Sequence, residues 1–122
     1  MKYLAIDWGE KRIGVAVGND DPKLAMPLST ASSYKELVEI ISEEEPDKII
    51  LGNPLSMSGE ASLSKSFNSF KEKLEAEIKE ELILVDERLS SIYADKLAGK
   101  RVKATRDSVS AMIILESYLD TI

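Results

Sequence analysis

The sequence predicts an α/β fold built on a mixed five-stranded sheet: three antiparallel N-terminal strands, then parallel crossovers, flanked by helices. Two apolar runs near the N-terminus are separated by a link short enough for a β-hairpin. Later apolar runs alternate with stretches of helical periodicity, as in strand–helix–strand crossovers. A chain of 122 residues suits one domain with a single core, so we expect residues 1–122 to form one unit.

The first three strands follow one another closely. Apolar runs at 2–7 and 12–18 form the predicted hairpin around Gly9. A turn at 19–22 leads to a third strand at 24–30. Pro27 marks this third strand as an edge strand, because proline lacks the backbone N–H donor that a central strand needs.

Helices and parallel strands make up the remainder. Ser32 or Ser33 caps a helix over 34–44, and Pro46 ends it. Strands follow at 48–52 and 82–85. The helix between these two strands buries a face whose residues are spaced at 4, 3, 4 and 4 positions: Leu63, Phe67, Phe70, Leu74 and Ile78. In a mixed sheet of this kind the first strand lies near the centre. A short helix at about 90–97 precedes a last helix that starts near Asp107 and turns four residues inward: Val109, Met112, Ile113 and Leu119.

Composition excludes several chemistries. The chain has no histidine and no cysteine, so serine triads, thiolate sites and most zinc sites are ruled out. No apolar stretch approaches the ~20 residues of a membrane span, and the chain starts without a signal-peptide pattern, so we expect a cytoplasmic protein with no membrane partner. The net charge of -6 argues against a nucleic-acid partner, but the stretch 96–106 carries five basic residues and no acid.

Three acids stand where a strand ends or a helix begins: Asp7, Glu87 and Asp107. If the fold brings them together, they form an oxygen-only cage for a hard divalent cation. Alternation along a strand lets only one of Asp86 and Glu87 reach such a site, and composition does not choose between them. Asp107 is equally suited to capping its helix.

Four blocks in order give the chain a family resemblance. They are LAIDWGEKRIGVAV at 4–17, GNPLSMSG at 52–59, VDERLSS at 85–91, and RDS at 106–108 leading into ILESYLD at 114–120. Together they resemble the YqgF-type family of Holliday-junction resolvases, also described as pre-16S rRNA nucleases, within the ribonuclease H-like superfamily. The resemblance covers nearly the whole chain.

Site residues follow from the resemblance by position. It implies catalytic and metal-binding roles for Asp7, Glu87 and Asp107, which favours Glu87 over Asp86. The family's Lys-Arg pair matches Lys11 and Arg12, which would contact phosphates, and Arg88 is a third expected nucleic-acid contact. The charge of the basic loop, and not the resemblance, adds four more: Lys100, Arg101, Lys103 and Arg106. Three residues would line the site: Gly9, Asn53 and Met57. The family often has Ser-Asp where this chain has Gly18-Asn19, which leaves the role of the adjacent Asp20 open.

The expected activity is hydrolysis of nucleic-acid phosphodiesters by a two-metal mechanism with Mg²⁺ or Mn²⁺. The resemblance implies endo- or exonucleolytic action in 5′-end processing of precursor 16S rRNA, in resolution of Holliday junctions, or in both. Partners would be precursor rRNA or branched DNA, with the ribosome as a further candidate, and the protein would act as a monomer or a homodimer. Two alternatives stay open: a catalytically silent RNA- or ribosome-associated module, and a nucleotide-binding phosphotransferase-like protein.

Overall fold

The computed structural model describes residues 1–53, 61–86 and 106–122, excepting the side chains of 61–64, 86 and 106. Its elements are, in order, β1 Lys2–Asp7, β2 Ile13–Asp20, β3 Lys23–Ala31, α1 Tyr34–Glu44, β4 Lys48–Asn53, α2 Ala61–Glu77, β5 Glu81–Asp86 and α3 Arg106–Leu119. Each was predicted from the sequence, with small differences at the ends. The short helix predicted at 90–97 lies outside the described residues.

The five strands form one sheet in the order β3-β2-β1-β4-β5. Strand β1 pairs antiparallel with β2 and parallel with β4, and β4 pairs parallel with β5. This confirms the predicted mixed sheet with the first strand at its centre. Strand β3 is an edge strand, as Pro27 predicted, and its register with β2 shifts between Val15 and Ala16, next to that proline.

Side-chain alternation divides the core between the two faces of the sheet. On one face, α1 and α2 cover a cluster that includes Leu4, Ile6, Val15, Leu51 and Phe67. On the other face, α3 packs on a second cluster, which includes Tyr3, Ala5, Ala16 and Ile50. Asp7 comes two residues after Ala5, so alternation places it on the face that α3 covers.

Local signals explain the ends of α1. Ser33 is its N-cap and accepts a hydrogen bond from the backbone N–H of Glu36 at 3.2 Å. The Ser32 hydroxyl donates to the Glu36 carboxylate at 2.7 Å. The helix ends at Glu45 in a left-handed conformation, directly before Pro46. The sequence allowed either serine as the cap, and the structure selects Ser33.

The buried face of α3 is wider than its sequence pattern predicted. Val109, Ile113 and Leu119 are buried as expected, and Met112 is half-buried. Three further residues of this helix, which the prediction omitted, are almost fully buried: Ala111, Ile114 and Leu115. They pack on the sheet, whereas Val109 and Ile113 form a small separate cluster. A helix with two apolar contact surfaces does not show a single narrow apolar stripe, so the periodic pattern identified only part of its buried face.

Candidate functional site

Asp7 is the last residue of the central strand β1 and is half-buried. In the antiparallel register, it lies directly opposite Gly14 of β2. Side chains of directly opposed residues stand on the same face of the sheet. The space beside the Asp7 carboxylate is therefore the space that a side chain at position 14 would occupy.

Asp107 fills that space, because the first turn of α3 rests on Gly14. A Cβ atom added at Gly14 would overlap the backbone carbonyl oxygen of Asp107 and lie 3.0 Å from the Asp107 Cβ. Opposed Cβ atoms in an antiparallel pair are about 4.5–5.5 Å apart, so the Cβ atoms of Asp7 and Asp107 lie within roughly 8.5 Å of each other. The structure thus brings together two of the three predicted acids.

Arg12 forms an ion pair with Asp107, with the Arg12 Nε 3.1 Å from the Asp107 Oδ2. The Arg12 side chain is 69% exposed and that of Asp107 is 32% exposed, so the pair is open to solvent. Lys11 is also exposed in the β1–β2 turn, and within the part of the chain that the structure describes no ion pair involves it. Of the two predicted phosphate contacts, Arg12 therefore stands beside Asp107, and Lys11 precedes it in the same exposed turn.

Trp8 anchors this turn from the opposite face of the sheet. Its ring lies 5.8 Å from the Phe67 ring in an edge-on arrangement and 6.1 Å from the Phe70 ring, measured between centroids. Gly9 follows, and a Cβ there would approach the Arg12 carbonyl oxygen to 2.7 Å, so the turn is tight. The sequence prediction included Gly9 but missed Trp8, whose signal was an aromatic residue directly after the strand-end acid.

The remaining predicted residues fall into two groups. Asn53 ends β4 at the same end of the sheet, but alternation from Leu51 places it on the face opposite Asp7. Six residues and the side chain of Arg106 lie outside the described part of the chain: Met57, Glu87, Arg88, Lys100, Arg101 and Lys103. Among the side chains that are described, no group of three or more carboxylates could hold a metal ion, and Glu87 is not among them.

Asp20 lies at the far end of the β1–β2 hairpin and is separate from this site. The N-terminal ammonium of Met1 donates to its Oδ1 at 3.1 Å, and the Tyr3 hydroxyl donates to its Oδ2 at 3.3 Å. The hydrogen bond from the ammonium group holds the pKa of Asp20 below its usual value. Asp20 is a structural acid here, and it is too far along the hairpin to contact Asp7.

A groove of about 640 Å³ also lies away from the two acids, where α1 and α2 end. Its floor includes Val38, Ile41 and Ile78, and acids such as Glu45 and Glu77 line its rim. It has no functional residue in common with the Asp7–Asp107 pair. We therefore base the functional argument on the paired acids and not on this groove.

The fold is that of the ribonuclease H-like resolvases. The structure of T. thermophilus RuvC in complex with Holliday junction substrate matches with a TM-score of 0.68 at 12% identity, over 99% of this chain and 95% of that one. Fowlpox virus resolvase, in a complex with substrate Holliday junction DNA, matches with a TM-score of 0.62 at 13% identity, over 99% and 98% of the two chains. These likenesses establish the ribonuclease H-like fold that the sequence predicted.

The sequence model of the RuvX Holliday junction resolvase family matches residues 1–121, and the chain belongs to that family. A protein of Maridesulfovibrio salexigens named "Putative pre-16S rRNA nuclease" is 39% identical, and the match covers 98% of each of the two chains. A protein of Nitrosospira multiformis with the same name is 36% identical, and the match covers 96% of this chain and 86% of the relative. The family resemblance is confirmed. No described helix is long and apolar enough to cross a membrane.

Proposed function

We propose that this chain is a metal-dependent nuclease that hydrolyses nucleic-acid phosphodiesters at the Asp7–Asp107 pair, with Glu87 as the third acid. The observation that carries the proposal is the packing of Asp107 on Gly14, the cross-strand neighbour of Asp7. Asp7 and Asp107, which come from distant parts of the chain, lie there on one face of the sheet. The site lies at the carboxyl end of the central strand, where ligands bind in open α/β sheets.

The donor set fits a hard divalent cation. Paired carboxylates repel each other, and bound positive charge relieves that repulsion. Without histidine or cysteine in the chain, oxygen is the ligand that the side chains offer, which suits Mg²⁺ or Mn²⁺. Asp7 and Asp107 would hold the ion, and Mg²⁺ needs few carboxylates because it keeps several of its waters.

Strand alternation favours Glu87 over Asp86 as the third ligand. Val85 packs with the cluster beneath α3, on the same face as Asp7. Side chains two positions apart in an extended chain share a face. If the backbone stays extended after Val85, the side chain of Glu87, and not that of Asp86, would lie on the face of the sheet that Asp7 and Asp107 occupy.

The chain's own residues supply rigidity and phosphate binding. Asp7 is held on a central strand whose preceding residues Ala5 and Ile6 are fully buried. Lys11 and Arg12 would hold the backbone phosphates at the rim, and the basic stretch 96–106 would extend that contact. Bound divalent cations would lower the pKa of an attacking water and stabilise the leaving oxygen, as in two-metal nucleases.

The family supports a proposal for the substrate class. The RuvC and Fowlpox resolvase structures contain Holliday junctions, and the relatives carry the name of a pre-16S rRNA nuclease. We propose that this chain acts in the cytoplasm, as a single domain, on 5′ ends of precursor 16S rRNA, on Holliday junctions, or on both. Junction resolution calls for a two-fold-symmetric dimer, whereas trimming an RNA end does not.

One experiment tests the activity and the substrate together. Four-way junction DNA, single-stranded RNA and a precursor 16S rRNA fragment are incubated with the protein in Mg²⁺ or Mn²⁺, and the products are resolved on gels. Replacing Asp7 by Asn should lower cleavage at least about a hundredfold, because it removes roughly 3 kcal/mol of transition-state stabilisation. The variant should keep its fold, which circular dichroism checks.

The matched control is Asp20→Asn, the same substitution at the far end of the hairpin, which should leave the cleavage rate unchanged. Cleavage by Asp7→Asn at the wild-type rate would contradict the proposal. Metal-independent RNA binding by the wild type without any turnover would instead favour a catalytically silent RNA-associated module.

A further inference from the structure

Two glycines of β2, Gly14 and Gly18, stand beneath α3. A Cβ at Gly14 would overlap the Asp107 carbonyl oxygen and crowd its carbonyl carbon. Neither glycine has the left-handed backbone that favours this residue. Because glycine weakens a strand interior, its presence there calls for another reason, and a close approach of backbone is one. At Gly14, the approaching backbone belongs to one of the two paired acids.

We propose that Gly14 is a positioning residue, whose missing side chain sets the separation between the carboxylates of Asp7 and Asp107. The inference rests on the proposed function, since it concerns the metal ligands of that site. Gly14 is paired with Asp7 in the sheet and in contact with Asp107 through the helix. It therefore adjoins the positions of both acids.

An added methyl group would move Asp107 and leave Asp7 in place. Asp7 ends a central strand whose preceding residues Ala5 and Ile6 are fully buried, whereas Asp107 lies in the first turn of α3, at the N-terminal end of that helix. The atoms that would collide are backbone atoms, which cannot rotate away, so the start of α3 would shift by roughly 1 Å or more to restore normal contact distances. Functional sites tolerate displacements of only about 0.5 Å, and Mg²⁺ demands near-ideal octahedral geometry.

Gly18 provides a matched control on the same strand and beneath the same helix. A Cβ there would approach the Leu115 side chain to 2.8 Å and overlap the Leu24 carbonyl oxygen. Gly18 lies four residues farther along β2, which is about 13 Å from Gly14. Gly18→Ala would thus strain the packing of α3 and β3 without displacing Asp107.

The test measures Mn²⁺ binding to the whole chain by isothermal titration, together with thermal melts. Gly14→Ala should bind Mn²⁺ 10- to 100-fold more weakly than the wild type, the range typical of losing the support around a metal ligand. Gly18→Ala should lose thermal stability but keep the wild-type affinity for Mn²⁺ within about twofold. Adding Asp107→Glu to Gly14→Ala should restore part of the affinity, because glutamate extends the carboxylate by about 1.5 Å.

Two results would overturn the role of Gly14. One is a folded Gly14→Ala that binds Mn²⁺ as tightly as the wild type. The other is an equal loss of affinity in Gly18→Ala, which would make the effect one of general packing. If Gly14→Ala does not fold, Asp107→Glu in the wild-type background decides: unchanged affinity there would show that the separation is not critical, and a loss of tenfold or more would support the proposal. A wild-type protein that binds no Mn²⁺ would overturn the proposed function itself.

Discussion

Replacing Arg12 by alanine should tighten divalent-cation binding to the free protein. The guanidinium lies 3.1 Å from the Asp107 Oδ2 and competes with a cation for that carboxylate. Since the Arg12 side chain is 69% exposed and Asp107 32% exposed, the ion pair is screened and worth at most about 1 kcal/mol. Removing it should raise Mn²⁺ affinity about two- to fivefold at low salt, and by less at high salt, where exposed pairs are screened further.

Lys11→Ala is the matched control for this measurement. It removes the same charge from the same turn, yet within the described residues Lys11 takes part in no ion pair. Isothermal titration of Mn²⁺ into both variants distinguishes the loss of the Arg12–Asp107 contact from the general effect of removing one positive charge from the turn. Arg12→Ala should exceed Lys11→Ala in affinity. Equal affinities, or weaker binding by Arg12→Ala, would refute the competition between guanidinium and cation.

Both variants should bind nucleic acid more weakly and with a smaller salt dependence, because each lacks one phosphate contact.

Two further predictions concern the stability of the fold. Phe67 is 1% exposed and its ring supports Trp8, so Phe67→Ala should lower the free energy of unfolding by about 3–5 kcal/mol. Urea denaturation, followed by the fluorescence of the chain's single tryptophan, measures this change. A loss below about 1 kcal/mol would contradict the packing argument. Glu116 is exposed on α3, but partial desolvation of its carboxyl and, to a smaller extent, the nearby Asp120 carboxylate raise its pKa. The folded state therefore holds this proton more tightly than the unfolded state, and stability is lost as pH rises through the unfolded and then the folded pKa. Glu116→Gln should thus raise the melting temperature relative to the wild type at pH 7 but not at pH 3.5, and a pH-independent difference would contradict the sign.

Local signals were sufficient for most of the fold. Strand β1 matches its predicted bounds because its apolar run ends at a charged residue, and α1 matches because a serine cap opens it and Pro46 follows it. Pro27 identified an edge strand for a reason that holds in any sheet, namely that proline has no backbone N–H to donate. These features are read from neighbouring residues, and for that reason they could be predicted from a single sequence.

The contacts that build the site could not be predicted in the same way. A glycine at position 14 suits a close approach to β2, but nothing near it in the sequence identifies α3 as the partner. The ion pair between Arg12 and Asp107 likewise joins two segments from opposite ends of the chain. Periodicity also missed Ile114 and Leu115, because α3 packs on more than one surface. The choice of Glu87 came from the family resemblance and remains a prediction.

Asp7 and Asp107 are held in place in different ways, and the difference has a consequence for the stability of α3 on the sheet. Asp7 belongs to a central strand, whereas Asp107 reaches the site only while α3 is seated on Gly14 and the cluster around Ala111 and Leu115. Any ion that binds both acids therefore binds the folded arrangement and not a state with α3 detached. By linkage, a cation at 100 times its dissociation constant would stabilise the seated helix by about 2.7 kcal/mol. Cation binding should accordingly slow hydrogen exchange in α3 more than in α1, which packs on the opposite face of the sheet.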